Sequence, residues 1–240
     1  MRSGLTTLHI AVLRENLQAV EWLLGKGAGT GTRIEAKCGP GWTALHLAAS
    51  SANNTRGLAI VKSLLDRGAS IEVTDSCSRT ALHIAVTSCN IEVVKLLLSR
   101  GVSIEATDDC DRTALYVAVS RGSIEIAKIL LNRGANIEAM ATGGLGGTAL
   151  HFAVSYSDIE VVKLLLNSGA STQATYYGLT ALHFAASSQG GSVEVVKLLL
   201  DRGASIEAKD DSNRTPLHSA AESSNSEILR LLLDKGARAA

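Results

Sequence analysis

A Thr-Ala-Leu-His signature, intact or with one substitution, begins at Thr6, Thr43, Thr80, Thr113, Thr148, Thr180 and Thr215. Successive copies stand 37, 37, 33, 35, 32 and 35 residues apart. A period of this length belongs to stacked supersecondary units, each of which needs a neighbour to bury its apolar face. The 240 residues are therefore expected to form one elongated array of seven repeats rather than two ordinary domains.

The pattern inside each copy names the unit. Leu45, Ala48 and Ala49, then Ile60, Val61, Leu64 and Leu65, recur at helical spacing, so a repeat offers two short amphipathic helices. Helices this short are marginal alone in water, and their stability must come from packing. A glycine follows each second helix (Gly27, Gly68, Gly101, Gly134, Gly169, Gly203, Gly236), suited to the left-handed residue that ends it. The chain then runs extended through Ile71-Glu72-Val73 before Asp75 to Arg79 make a turn.

Repeat three reads Thr80-Ala81-Leu82-His83-Ile84-Ala85-Val86, continues with Ile91-Glu92-Val93-Val94-Lys95-Leu96-Leu97-Leu98 and closes at Gly101. With seven in-register copies of this pattern, the chain resembles the ankyrin-repeat proteins over essentially residues 1–240. The resemblance implies an all-α fold, an ankyrin-repeat solenoid of helix-turn-helix units with projecting β-hairpin fingers. Its repeats would span approximately 2–35, 39–72, 76–105, 109–138, 144–173, 176–207 and 211–240. It further implies that the signature histidine fastens the turn through hydrogen bonds, and that the fingers and a groove lined by the first helices bind a protein or peptide.

Composition bounds the rest. Lysine plus arginine equals aspartate plus glutamate at 23 each, which gives no electrostatic footprint for nucleic acid or an anionic membrane. No apolar run approaches the ~20 residues that span a bilayer, and no secretory signal precedes the first repeat. Cys77 and Cys110 sit one repeat step apart, roughly 8 to 10 Å on helix-packing grounds, beyond the ~7 Å that a disulfide bridges. With Cys38 and Cys89 they are expected to be free thiols in an intracellular, reducing compartment, cytoplasmic or nuclear. The sequons Asn53-Asn54-Thr55 and Asn213-Arg214-Thr215 are then chance matches.

Patterns that could carry chemistry have plainer explanations. All six histidines (His9, His46, His83, His151, His183, His218) occupy the signature position. Zinc needs its ligands within ~2.1 Å of one ion, which side chains a repeat apart do not readily supply. Gly25-Lys26-Gly27-Ala28-Gly29-Thr30-Gly31 is glycine-rich but follows a helix, whereas a dinucleotide loop follows a strand and opens a helix. Asp108, Asp109 and Asp111 read as a solvated turn without an acid-base partner. No cofactor, metal or catalytic residue is implied.

Positions that escape the internal pattern carry the information about partners. A basic column (Lys26, Arg67, Arg100, Arg133, Arg202) and an acidic one (Glu35, Glu72, Glu105, Glu138, Glu207) are lost together in repeat five, at Ser168 and Gln173, which suggests pairing within each repeat. Trp42, Arg79, Arg112, Leu145, Tyr176, Tyr177, Leu179 and Arg214 stand in the fingers, and Arg121 and Tyr156 at the groove end of first helices; these ten are the candidate partner-binding residues. Of the eight aromatic residues, Trp22, Phe152 and Phe184 fall at core positions and Tyr116 replaces the signature histidine. Tyr, Trp and Arg dominate interface hot spots.

Repeats four to six collect most departures, including the finger Gly143-Gly144-Leu145-Gly146-Gly147, whose glycines suggest mobility. Insertions at Ser51 to Gly57 and Ser188 to Ser192 lengthen the link between helices. The array starts inside its first repeat and stops just after the last Gly-Ala without a polar capping repeat, so a segment of a longer protein is expected. The reading is a non-catalytic interaction scaffold, monomeric or weakly associating end to end. A structural or self-assembly element is the alternative, as is an enzyme or small-molecule binder using repeats four to six. A designed binder is conceivable, though the irregular steps favour a natural origin.

Overall fold

A computed structural model describes residues 4–26, 33–51, 55–143, 145–187 and 192–238. Most of the glycine-rich connection, the centres of both insertions and Gly144 lie outside the described residues. Fourteen helices are present among the described residues, two per repeat, as the periodicity requires. The chain divides into two compact units, residues 1–109 and 110–240.

Unit 1 holds three helix pairs: α1 (Thr7–Leu13) with α2 (Leu17–Lys26), α3 (Ala44–Ser50) with α4 (Thr55–Asp66), and α5 (Ala81–Thr87) with α6 (Ile91–Ser99). Helix α3 packs on α1 and α5, and α4 on α2 and α6, so first and second helices form separate layers. Its core is the apolar stripe read from the sequence: Ala48, Ile60, Val61, Leu64, Leu82, Val93, Val94 and Leu97 are all buried.

Unit 2 repeats the plan with four pairs. These are α7 (Ala114–Ser120) and α8 (Ile124–Asn132), α9 (Ala149–Ser155) and α10 (Ile159–Asn167), α11 (Ala181–Ser187) and α12 (Val193–Asp201), and α13 (Pro216–Glu222) and α14 (Ser226–Asp234). Helices α7, α9, α11 and α13 form one layer and α8, α10, α12 and α14 the other. Leu115, Ile126, Leu130, Leu150, Leu165, Leu182, Leu199 and Ile228 fill the space between.

Fingers close at the turn before each signature threonine. One is a two-stranded antiparallel hairpin, β1 (Thr175–Tyr176) and β2 (Leu179–Thr180), with Tyr176 opposite Leu179. Two others close through single bridges, Cys38 to Trp42 and Ala141 to Gly147. Neighbouring fingers are stitched together: Ser76 N–H and Oγ both donate to Pro40 O (3.0 and 2.7 Å), and Thr142 N–H donates to Cys110 O (3.0 Å).

The signature histidine joins turn to turn. Thr43 N–H donates to His46 Nδ1 (3.2 Å) and Thr43 Oγ1 lies 2.9 Å from the same nitrogen. An amide N–H can only donate, so Nδ1 is an acceptor and the neutral ring carries its proton on Nε2, 3.0 Å from Arg79 O in the next repeat. His151 and His183 do the same, with Nε2 at 3.2 Å from Leu179 O and 3.1 Å from Arg214 O. Protonating Nδ1 would set a donor against a donor. Burial pushes His46, His151 and His183 below the usual imidazole range, outweighing the carbonyls that favour the charged form.

None of the four cysteines is in a disulfide. The hydrogen bonds and ion pairs described for both charged columns run across repeats, which corrects the pairing within a repeat expected from the sequence. The acidic column accepts from backbone N–H groups one repeat on: Glu35 from Ser70, Glu72 from Ser103, Glu138 from Ser171 (each 2.7 Å) and Glu207 from Arg238 (2.8 Å). Gln173 reverses the polarity, its Nε2 donating to Gly203 O at 2.9 Å. In the basic column Arg100 reaches back to Asp66 (2.9 Å) and Arg202 to Asn167 (2.7 Å). The extended segment after the closing glycine carries Glu72, Glu138 and Glu207 to the next repeat, away from the basic residue five positions earlier.

Candidate recognition surface

Three of the candidate residues are bound up in holding the turns. Asp75 is buried, and its carboxylate accepts from the amides of Cys77 (2.9 Å) and Arg79 (3.0 Å), from the Arg79 guanidinium (2.7 and 2.9 Å) and from Trp42 Nε1 (3.0 Å). Burial alone would raise the Asp75 carboxyl, but Arg79 and the two amides overcome it and hold the group below the usual carboxylate range. In unit 2, Arg214 bonds buried Asp210 at 2.8 Å and reaches Glu222 at 3.2 Å. Arg112 stands in the same place, four residues past buried Asp108, and is half-buried.

Trp42 and Arg79 thus converge on one carboxylate oxygen in unit 1. The Trp42 ring also lines an apolar cleft of about 340 Å³ with Leu5, Leu13, Pro40 and Leu47. Trp22 corrects a sequence expectation: it is 59% exposed, not core. Val20 and Leu23 take the buried face of α2, and one residue of helical rotation turns Trp22 toward a shallow surface shared with Ile10 and Arg14.

Unit 2 gathers Leu145, Tyr176, Tyr177 and Leu179. Leu145 is 41% exposed at the tip of its finger, and the Tyr176 ring lies where a side chain on Gly146 would stand. A Cβ on Gly143 would come within 2.5 Å of Cys110 Cβ, and one on Gly147 within 3.1 Å of His151. Glycine is needed at these three positions for close approach of the neighbours. Leu179 contributes its carbonyl to His151, and its side chain is half-buried.

Tyr177 is the most exposed of the four, at 77%, with its ring edge-on to Tyr176 (centroids 4.5 Å apart). Tyr177 and Gly178 have φ of +49° and +72°, the mirror-image turn that suits a two-residue hairpin. Pro40, Cys77, Cys110, Leu145 and Ser212 hold the corresponding place three residues before the signature threonine, and Tyr177 alone among them is left-handed. The left-handed region costs a side chain about 1 kcal/mol or more. The finger therefore carries a large ring into solvent on a backbone that disfavours it.

The second aromatic group lies on α7 and α9. Tyr116 meets Phe152 edge-on at 5.5 Å, and Phe152 meets Tyr156 at 4.6 Å with a 35° tilt. Tyr116 is buried, and its hydroxyl has no hydrogen-bond partner where His46, His151 and His183 place a bonded imidazole nitrogen. Burial pushes the Tyr116 phenol up to about 12. Arg112, Tyr156 and Tyr176 are near enough to act on it electrostatically, the arginine opposing the shift.

Tyr156 caps α9 and is 66% exposed. With Phe152, Val119, Ser120, Gly122 and Asp158 it lines a cleft of about 310 Å³. Arg121, exposed at the C-cap of α7, stands between two of these residues in sequence. Phe152 was read as core, yet it is half-buried and forms a wall of this cleft. Asp158 carries in sequence only the signal of a helix cap, and it accepts from Val161 N–H at 3.2 Å.

Among the described residues no three His, Cys, Asp or Glu side chains are grouped to hold a metal ion, and no helix is long and apolar enough to cross a membrane.

The family model for ankyrin repeats matches residues 1–75, 51–141, 139–210 and 177–240. No curated protein sequence matches the chain. Among solved structures, the ankyrin repeat domain of Bcl-3, described as a unique member of the IkappaB family, is 33% identical, with a TM-score of 0.84 over 96% of this chain and 99% of that one. The human ASB11 ankyrin repeat domain is 28% identical, with a TM-score of 0.78 over 98% and 100%. A chain in the complex of the predatory endopeptidase Bd0816 from Bdellovibrio bacteriovorus with immunity protein Bd3460 is 28% identical, with a TM-score of 0.69 over 80% and 97%. Helix pairs, histidine-fastened turns and family model agree: this chain belongs to the ankyrin-repeat family.

Proposed function

We propose that the chain is a non-catalytic module that binds a protein or peptide, and that unit 2 docks it across the Thr175–Thr180 hairpin and the Phe152–Tyr156 cleft. One observation carries the reading: in a chain with eight aromatic residues, Tyr156 and Tyr177 are largely exposed, the latter on a disfavoured backbone. Large rings on rigid supports bury much area at small entropic cost. Arg112, Arg121 and Arg214 add charged edges, and Trp42 and Arg79 give unit 1 a smaller surface of the same kind. Balanced charge favours a protein partner over nucleic acid or membrane, and four cysteines outside any disulfide fit an intracellular, reducing setting.

A second reading, weak end-to-end self-association, draws on unit 1. Ile10 is 49% exposed although its counterparts Leu47 and Ile84 are buried. Concentration-dependent sedimentation that Ile10→Ser and Trp22→Ser abolish would support it.

The docking reading is tested by affinity capture with the chain beside a Tyr156→Ala, Tyr177→Ala variant matched to it by circular dichroism. A protein retained by the first and lost from the second is the expected result. Equal retention would remove unit 2 aromatics from the site.

A further inference from the structure

We infer that the cleft lined by Phe152, Tyr156 and Asp158 seats one basic side chain, lysine or arginine, of the docked partner. The inference rests on the docking reading and specifies its chemistry. Two aromatic rings, with centroids 4.6 Å apart and planes inclined by 35°, border one cavity of about 310 Å³. The faces of such rings carry negative potential and attract a cation within about 6 Å.

The carboxylate completes the pair. Asp158 Oδ1 is committed to Val161 N–H, while Oδ2 turns toward Gly122, 3.8 Å from where a Cβ would stand. The left-handed Gly122 (φ +63°) keeps that wall low. Ser120 adds little, since its hydroxyl donates to Val117 O at 2.9 Å. An acidic side chain entering here would meet a carboxylate and two aromatic rings, and a neutral apolar one would strip water from Asp158 with nothing in return. A guanidinium or ammonium satisfies carboxylate and rings together, with its aliphatic stem against Val119.

Arg121 opposes this. It lies exposed between Ser120 and Gly122 in sequence, and its charge lowers the affinity of a cation for the cleft. Arg121→Ala is accordingly expected to tighten binding of a cationic probe to the cleft.

The test is an amide NMR titration of the full chain with N-acetyl-arginine methylamide and with its neutral isostere, N-acetyl-citrulline methylamide. The arginine probe should bind about five- to tenfold more tightly, the range expected of a cation–π contact joined to a surface ion pair. Shifts should centre on Gly122, Tyr156 and Asp158. Asp158→Asn keeps a competent helix cap and should bring arginine part of the way to the citrulline level by removing the ion pair, whereas Tyr156→Leu should weaken arginine more than citrulline. Equal affinities for the two probes at this cleft would overturn the cation assignment while leaving the docking reading intact. No shift at these residues with either probe would overturn it as well. The docking reading fails separately, if the captured partner ignores Tyr156 and Tyr177.

Discussion

Acid should unfold this protein through its histidines before its carboxylates are touched. His9 and His46 in unit 1 and His151 and His183 in unit 2 are buried, with pKa values lowered first of all by that burial. Between an unfolded value near 6.5 and the lower folded value, the unfolded chain binds protons that the folded one refuses, so stability rises with pH and falls as pH drops. Each such group contributes at most about 1.4 kcal/mol per pH unit. Two per unit set a ceiling near 2.7 kcal/mol per pH unit for each, which is large against a total of about 5–15 kcal/mol. Asp75 and Asp210, held below the usual carboxylate range, lose their contribution only at lower pH, below about 4. Urea denaturation followed by circular dichroism from pH 7.5 to 5.0 reads the effect, and His183→Gln should remove about one proton from the unit 2 slope. Stability that stays flat or increases from pH 6.5 down to 5.5 would refute the neutral, Nε2-protonated histidine clamp.

Further outcomes concern single side chains. Tyr116→Phe removes a buried hydroxyl that has no partner and should be neutral or stabilising by up to about 2 kcal/mol in urea melts; a loss above 1 kcal/mol would mean the hydroxyl is bonded. Tyr177→Asn suits the left-handed turn and should stabilise unit 2 by about 0.5–1 kcal/mol while weakening partner capture; no gain in stability would contradict the strain argument. Because Glu138 accepts from Ser171 N–H, Arg133→Ala and Glu138→Ala should add within about 0.5 kcal/mol in a double-mutant cycle, and coupling above that would restore pairing within the repeat.

How far the sequence is legible depends on whether a residue repeats. Seven copies of one pattern identify the helices, the buried Leu and Val stripe and the structural role of the histidines, since each column is forced by the same packing. Arg79 and Arg214 were legible as finger residues, but their pairing with Asp75 and Asp210 depends on a turn that brings residues four apart into contact. Trp22 was misread because a hydrophobic residue in an amphipathic helix is assigned to the core by type, while one step of rotation decides its face. The acidic column was misread because partners a full repeat apart leave no local spacing signal. The Phe152–Tyr156–Asp158 cleft was half legible: Tyr156 stood out by type, whereas Phe152 resembles core and Asp158 a helix cap. Three glycines of the finger at 143–147 look like freedom in sequence and prove to be room for Cys110, Tyr176 and His151.

Site-specific photocrosslinking tests the docking surface most directly. Benzoylphenylalanine placed at Tyr156 or Tyr177, and as controls at exposed Glu125 or Lys128 on α8, would be irradiated with the captured partner bound. Covalent adducts from Tyr156 and Tyr177 with none from α8 are the predicted result. Adducts from α8 and none from the two tyrosine positions would place recognition on the second-helix layer and contradict the account.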